Sequence, residues 1–283
     1  MSIPKAGTRL LYQLARKLGY RDGVELKDFA EPAHWYCLEY SKSHTAAPDF
    51  FRDSARRRHF GRRAHPFSRT PTLFIYRNPL DIWVSEANEY HKDSNALFHG
   101  YLSDLPLKER LGRLLYDPWL LGSVRDRVGK FLAWLEFPNV IPLSYEELVG
   151  AKGGGHDRIQ EDLIWSIQLK LHAPGQPQQI GAGIVDRDSP SFDKGSIGSY
   201  RNVLPQQLFD EFLRGDQDFM DILGYADSDL IRAPVPPARA EQFRRRPLQL
   251  SRANYDETPS VIKESHTRSG PGETSTAVPP AAQ

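Results

Sequence analysis

Leu73-Phe74-Ile75-Tyr76-Arg77-Asn78-Pro79-Leu80-Asp81-Ile82-Trp83-Val84-Ser85 carries the strongest fold signal in the chain. Its first four residues form an apolar run too short for a helix and suited to a strand buried on both faces. Arg77 closes the run. Asn78, Pro79 and Asp81 then supply an N-cap, a proline at the first helical position and an acid at the third, which together predict strand, sharp turn, helix. A second strand-like run, Val140-Ile141-Pro142-Leu143, ends at Ser144-Tyr145-Glu146-Glu147. Helices are predicted over 106–116, 123–136, 157–171 and 205–223, the last opening at Pro205 with Phe209, Phe212, Leu213, Phe219 and Met220 available for burial. Buried strands alternating with amphipathic helices predict an α/β fold, a central parallel sheet flanked by helices in a single domain over 1–232. From 233 to 283 proline, serine, threonine and charge replace any apolar period, and this segment reads as a disordered tail.

Upstream, Leu10, Leu11, Leu14, Ala15 and Leu18 share one helical face, Arg16 and Lys17 fall in the last turn, and Gly19 can cap it. That helix opens at Pro4-Lys5-Ala6-Gly7-Thr8-Arg9. Backbone N–H groups at a helix start attract anions, Gly7 allows close approach, Thr8 offers a hydroxyl and Lys5 a charge, so the segment can cradle a phosphate. A turn capped by proline and glycine for purely structural reasons fits the same residues. The ATP-binding pattern GxxxxGK[ST] is absent, which counts against an ordinary nucleotide triphosphatase. Ligands in parallel α/β sheets bind beyond the carboxyl ends of strands, so this loop should follow a strand. Only Met1, Ser2 and Ile3 precede Pro4, so the strand is very short or the natural start lies upstream.

Arg77 stands at a strand end, and Ser85 lies about two turns into the helix on the side of its cap, so guanidinium and hydroxyl can converge on one phosphate. Asp81 reads as a structural cap. Phe192-Asp193-Lys194-Gly195-Ser196-Ile197-Gly198-Ser199-Tyr200 is a glycine-spaced loop with a cation and an aromatic, which in isolation reads as an exposed turn.

Taken in order, Lys5 to Thr8, Arg77 to Ser85, Tyr145-Glu146-Glu147-Leu148 and Lys194 to Gly198 resemble the cofactor-binding elements of sulfotransferases that use 3′-phosphoadenosine 5′-phosphosulfate (PAPS). The resemblance covers about residues 4–225 and implies a P-loop-like fold. It further implies that Lys5, Ala6, Gly7, Thr8 and Arg9 hold the 5′-phosphosulfate, with Lys5 at the departing bridging oxygen. Arg77 and Ser85 would bind the 3′-phosphate, Ser85 also restraining Lys5. Tyr145 would lie near the adenine, and Lys194 and Gly195 would close over the 3′-phosphate. The implied reaction is in-line attack of an acceptor hydroxyl or amine on sulfur, releasing 3′,5′-adenosine bisphosphate without a metal. A histidine between the first two motifs would be the base. Among His34, His44, His59 and His65, His65 resembles that base most, with His59 second. Asp193 stands where the family usually has arginine, Leu10 where an aromatic is frequent, and Tyr200 where tryptophan is common.

Composition restricts the alternatives. With 37 Lys plus Arg against 36 Asp plus Glu, the net charge of +1 neither demands nor excludes a polyanion. One cysteine, Cys37, rules out a disulfide framework and a multi-cysteine zinc site, and nine histidines form no HExxH, so no metal is expected. No apolar run approaches the roughly 18 to 20 residues that cross a bilayer, and the first residues lack a secretory core, so a cytoplasmic setting is expected. The arginines at 52, 56, 57, 58, 62, 63 and 69, interleaved with His59, Phe60, His65 and Phe67, support a rival, noncatalytic polyanion-binding role. A solvated loop bordering an acceptor site is the preferred reading, with a small molecule, lipid or glycan as acceptor rather than nucleic acid. A P-loop kinase-like phosphotransferase is the remaining enzymatic alternative. Gly150-Ala151-Lys152-Gly153-Gly154-Gly155 reads as a flexible connector, and Trp35, Tyr36 and Trp83 as acceptor-pocket or core aromatics.

Overall fold

The structure, a computed structural model, describes residues 1–23, 34–36, 71–93, 96–117, 122–185 and 196–225. His65, Lys194, Gly195, the arginine cluster and the 233–283 tail lie outside the described residues, as do the side chains of His34, Trp35 and Tyr36.

The strand Thr72–Tyr76 pairs in parallel with Val140–Ser144, Leu73 opposite Ile141 and Tyr76 opposite Ser144. On its other side Ser2 forms a parallel bridge to Ile75, with Ile75 N–H donating to Met1 O at 3.1 Å and Ile3 N–H to Ile75 O at 3.2 Å. The segment ahead of Pro4 thus joins the sheet through a single bridge. The sheet is smaller than the central sheet expected: among the described residues it comprises these two strands and that bridge. Arg21–Gly23 and His34–Tyr36 make a separate parallel pair, and Tyr116–Asp117 and Gly122–Ser123 a short antiparallel one.

Alternation along Thr72–Tyr76 explains how both faces are covered. Phe74 and Tyr76 enter a core with Leu80, Trp83, Leu111, Phe131, Phe212 and Phe219. Ile75, on the opposite face, joins Leu10, Leu14, Leu143, Ile164 and Ile180 in a second core. Helices Pro79–Glu89, Leu107–Leu115 and Gln206–Leu223 thus pack one face, and Thr8–Lys17, Asp157–Leu171 and Pro177–Ala182 the other. Strands buried on both sides by helices are the mixed α/β arrangement that the sequence pattern predicts.

Asp157–Leu171 coincides with its expected span, and Thr8–Lys17 ends as anticipated, with Gly19 at φ 90 and Tyr20 N–H reaching Ala15 O at 3.1 Å. The expected helix 123–136 is instead the α-helix Val124–Gly129 followed by a 3₁₀ segment Leu132–Glu136. Phe131, Leu132, Trp134 and Leu135 are all buried there. Ala96–Leu102 and Pro177–Ala182 are short helices that no periodicity announced. The Gly150 to Gly155 stretch is a hydrogen-bonded turn rather than a flexible connector. Gly155 N–H donates to Gly150 O at 2.8 Å, and Gly153 O accepts from Ile197 N–H at 3.1 Å.

Candidate functional site

All three parallel segments deliver a chain turn at the same edge: Pro4-Lys5 after Ile3, Arg77-Asn78 after Tyr76, and Tyr145-Glu146 after Ser144. In the first, Ala6 N–H donates to Ile3 O at 3.1 Å and Lys5 has φ 64. Proline followed by a left-handed residue inside such a bond is the pattern of a type II turn, whose third position favours glycine or asparagine. A lysine there costs roughly 1 kcal/mol of backbone strain. Turn stability therefore does not account for this residue type.

Gly7 follows, also left-handed at φ 100 and ψ 35, and opens the helix Thr8–Lys17 with no side-chain cap and no acid in the first turn. The helix start thus keeps its N–H groups and positive dipole end free of a competing carboxylate on its own first turn. A Cβ at Gly7 would sit 2.8 Å from Tyr145 Cδ2 and 3.3 Å from Ile75 Cδ1. The loop backbone consequently lies flat against the Tyr145 ring. The Arg77 guanidinium stacks over the same ring, 4.2 Å from its centroid. Thr8 Oγ1, anticipated as a phosphate donor, lies 2.8 Å from Ser2 Oγ in a buried hydroxyl pair. Arg9 is exposed on the first turn.

Arg77 is 5 % exposed and its Nη2 donates to Ser196 O at 3.3 Å, while its Nε has no hydrogen-bond partner among the described residues. Asp81 lies 3.6 Å from the same guanidinium. Its carboxylate also accepts from Gly198 N–H at 2.9 Å, Tyr200 N–H at 3.1 Å and Ser199 Oγ–H at 2.8 Å. Four donors or cations around one fully buried carboxylate offset its desolvation. Asp81 is structural, as expected, but its work is to fix the 198–200 turn against the Arg77 strand end. Asn78 caps the helix through Leu80 N–H at 2.9 Å, as its sequence position predicts.

Asp81, Ser85 and Glu89 are spaced by four and occupy one face of Pro79–Glu89. Asp81 meets Arg77 at one end of this face, and Glu89 comes to 4.0 Å from the Lys5 ammonium at the other. On that face Ser85 falls between Asp81 and Glu89. Burial lowers the Lys5 pKa from its ordinary value, with Lys92 and Arg77 acting the same way and Glu89 and Glu86 opposing. Glu89, which also accepts from Lys92 at 2.8 Å, was not identified from the sequence. Only its helical spacing from Ser85 could have pointed to it.

Glu146 was missed too. It is buried, accepting Asn78 N–H at 3.0 Å on one oxygen and Tyr225 O–H at 2.8 Å on the other. It thereby ties the last helix to the sheet edge. Burial pushes its carboxyl up to about 7, although the Asn78 N–H, the Arg77 charge and the Tyr225 hydroxyl all pull downward. A carboxyl whose folded pKa exceeds its unfolded value stabilises most when both states are protonated, and loses that contribution as pH rises toward the folded value. Stability from Glu146 should therefore decline between pH 4.5 and about 7, by up to about 3 kcal/mol. Glu146→Gln is expected to flatten the dependence of chemical-denaturation midpoints over this window. An unchanged slope would show that other buried acids carry it.

Among the described residues no group of three or more His, Cys, Asp or Glu side chains is placed to hold a metal ion, and no helix is long and apolar enough to cross a membrane. Set against protein-family models, curated proteins and solved structures, the chain matches none of them.

Proposed function

We propose that this chain is a PAPS-dependent sulfotransferase on a P-loop-like α/β fold, transferring the sulfuryl group to a hydroxyl or amine of a small-molecule, lipid or glycan acceptor. The observation that carries the proposal is Lys5. A lysine in a left-handed turn position, leading through Gly7 into a bare helix start, is strained without structural return. Catalysis gives that strain a use, because the turn presents a cation and a row of N–H groups beside each other.

One feature of the site fits the nucleotide: the Nε of buried Arg77 is a donor with no hydrogen-bond partner among the described residues. When bound, PAPS supplies an activated sulfur and leaves as 3′,5′-adenosine bisphosphate. Lys5 and the N–H groups of Gly7, Thr8 and Arg9 at the helix start hold positive charge where the leaving phosphate gathers negative charge, the Ala6 N–H being taken by Ile3 O. Arg77 and Ser85 take the 3′-phosphate, and Lys194 and Gly195, immediately ahead of Ser196 in the chain, close over it. Tyr145 borders the adenine, and its ring fixes Arg77 from beneath. His65 is the proposed base that takes the acceptor proton.

A thermal-shift titration with 3′,5′-adenosine bisphosphate, compared with ADP, tests the proposal. A native-state ligand at 100 times its Kd adds about 2.7 kcal/mol, or roughly 5 to 10 °C for a domain of this size. The bisphosphate should give that shift, ADP much less, and Ser85→Ala should narrow the difference between them. No shift from either nucleotide in a protein that melts cooperatively, or equal shifts from both, would remove the basis for a sulfotransferase.

A further inference from the structure

The Lys5 ammonium stands among charges of both signs. Glu86 and Glu89 face it from the helix Pro79–Glu89, Lys92 from just beyond that helix, and Arg77 from the end of the strand Thr72–Tyr76. Burial favours the neutral amine, Glu89 is the largest charge opposing it, and Lys92 and Arg77 act with burial. The two acids are differently engaged. Glu86 is buried in its own pair, accepting from Arg127 Nε at 2.9 Å and from the Tyr90 hydroxyl at 3.3 Å. Glu89 Oε2 comes to 4.0 Å from Lys5 Nζ, inside ion-pair range and outside hydrogen-bond range. The same oxygen accepts from Lys92 Nζ at 2.8 Å, and Arg9 adds to the positive field around it. Among the described residues the Lys5 ammonium makes no hydrogen bond.

On the PAPS reading of this site, on which the inference rests, we propose that Glu89 is a positioning residue: the counter-ion that keeps Lys5 an ammonium while the site is empty and releases it to the phosphosulfate. A long ion pair suits this better than a hydrogen bond. A carboxylate bonded directly to Lys5 would compete with the phosphate for the same donors, whereas at 4.0 Å its charge supports the ammonium and the donors stay available. Lys92 has the complementary part, since its hydrogen bond compensates the Glu89 carboxylate once Lys5 turns to the nucleotide. The arrangement sets a pH limit on cofactor binding. The anion binds the ammonium, so affinity is full below the Lys5 pKa of the empty protein and is lost as pH rises through it. Removing the Glu89 charge lowers that limit, and removing the Lys92 charge raises it.

Calorimetric titration of the full chain with 3′,5′-adenosine bisphosphate between pH 7 and pH 10 tests this in wild type, Glu89→Gln and Lys92→Met. Both side chains are partly exposed, so the variants keep the fold. Glu89→Gln should bind at least as tightly as wild type at pH 7, because a negative charge has left an anion site. From pH 7 to pH 10 its affinity should then fall about tenfold further than that of wild type. Lys92→Met should lose less than wild type over the same range. Parallel pH profiles for the three proteins overturn the proposal, as does a uniform loss in Glu89→Gln at every pH, which is what a merely structural role produces. The Lys5 amine is followed separately, without nucleotide, by NMR of the protein carrying ¹³C-methylated lysines, its resonance assigned with Lys5→Arg. It should titrate at lower pH in Glu89→Gln than in wild type, and at higher pH in Lys92→Met. If the bisphosphate does not bind although the Lys5 titration moves as stated, the PAPS reading fails and the proposal with it. If the bisphosphate binds while Glu89→Gln leaves the Lys5 titration in place, the role of Glu89 alone is overturned.

Discussion

Lys5→Gly should leave the ligand-free protein as stable as wild type or slightly more so, while reducing PAPS affinity by about 10- to 100-fold. The two effects have separate origins. Glycine takes φ 64 without strain, so the turn between Ile3 and Ala6 keeps its hydrogen bond and sheds roughly 1 kcal/mol of backbone cost. The ammonium is lost, and with it the charge on which the proposed phosphosulfate contact rests. Differential scanning fluorimetry without ligand and calorimetric titration with PAPS read these independently. Unaltered PAPS binding by Lys5→Gly would remove Lys5 from the proposed site, whatever the melting temperature. A sharp fall in stability would instead mean that the lysine is held for structural reasons, through Glu89 at 4.0 Å.

The largest loss of stability is expected from Arg127→Ala. Arg127 is 6 % exposed and donates through Nε to Glu86 at 2.9 Å, through Nη2 to Leu114 O at 2.8 Å, and through Nη1 to Gly122 O. Glu86 is itself 2 % exposed, and its other oxygen accepts from the Tyr90 hydroxyl at 3.3 Å. Truncating the arginine leaves a buried carboxylate and two carbonyls without their donor, at a cost of about 3 to 5 kcal/mol, or roughly 10 °C or more in melting temperature. Burial already raises the Glu86 carboxyl above its ordinary value, and losing Arg127 raises it further. The variant's deficit should therefore shrink on acidification, as Glu86 takes up a proton in the folded state, and widen toward pH 8. Thermal melts at pH 5 and pH 8 would show this. Arg127→Met combined with Glu86→Gln should recover part of the loss, since neither side chain then carries a buried charge. A deficit below about 1 kcal/mol at every pH would mean that Glu86 reaches water when its partner is removed.

Glu86 adjoins Ser85, so this ion pair also bears on the site. It fixes the helix that carries the Asp81, Ser85 and Glu89 face to the segment from Leu114 to Arg127 on its far side.

Local signals made much of the framework legible. The four-residue run 73–76, the N-cap Asn78 with Pro79, and the period of Leu10, Leu11, Leu14 and Leu18 each depend on neighbours in sequence, and each produced the element it predicted. The capping box at Ser144 and Glu147 is of the same kind. What escaped depends on contacts between distant residues. Asp81 could be read as the third residue of a helix, but its partners are 117 to 119 positions away. Nothing local distinguishes Glu146 from its neighbour Glu147, and its partners Asn78 and Tyr225 are distant in sequence. For the site, residue types at the loop starts could be read from sequence, whereas Glu89 and the Ser2 and Thr8 hydroxyl pair required the fold.

The stack of Gly7, Tyr145 and Arg77 has a consequence for how this protein can change. A side chain at position 7 meets the Tyr145 ring at 2.8 Å and carries the strain of φ 100 as well, so a smaller residue at 145 relieves only one of the two obstacles. A smaller residue at 145 in turn uncovers a guanidinium that is now 5 % exposed and stacked on the ring. Position 7 is therefore held to glycine twice over, by its backbone angle and by the ring, and the ring is held in turn by the guanidinium it covers.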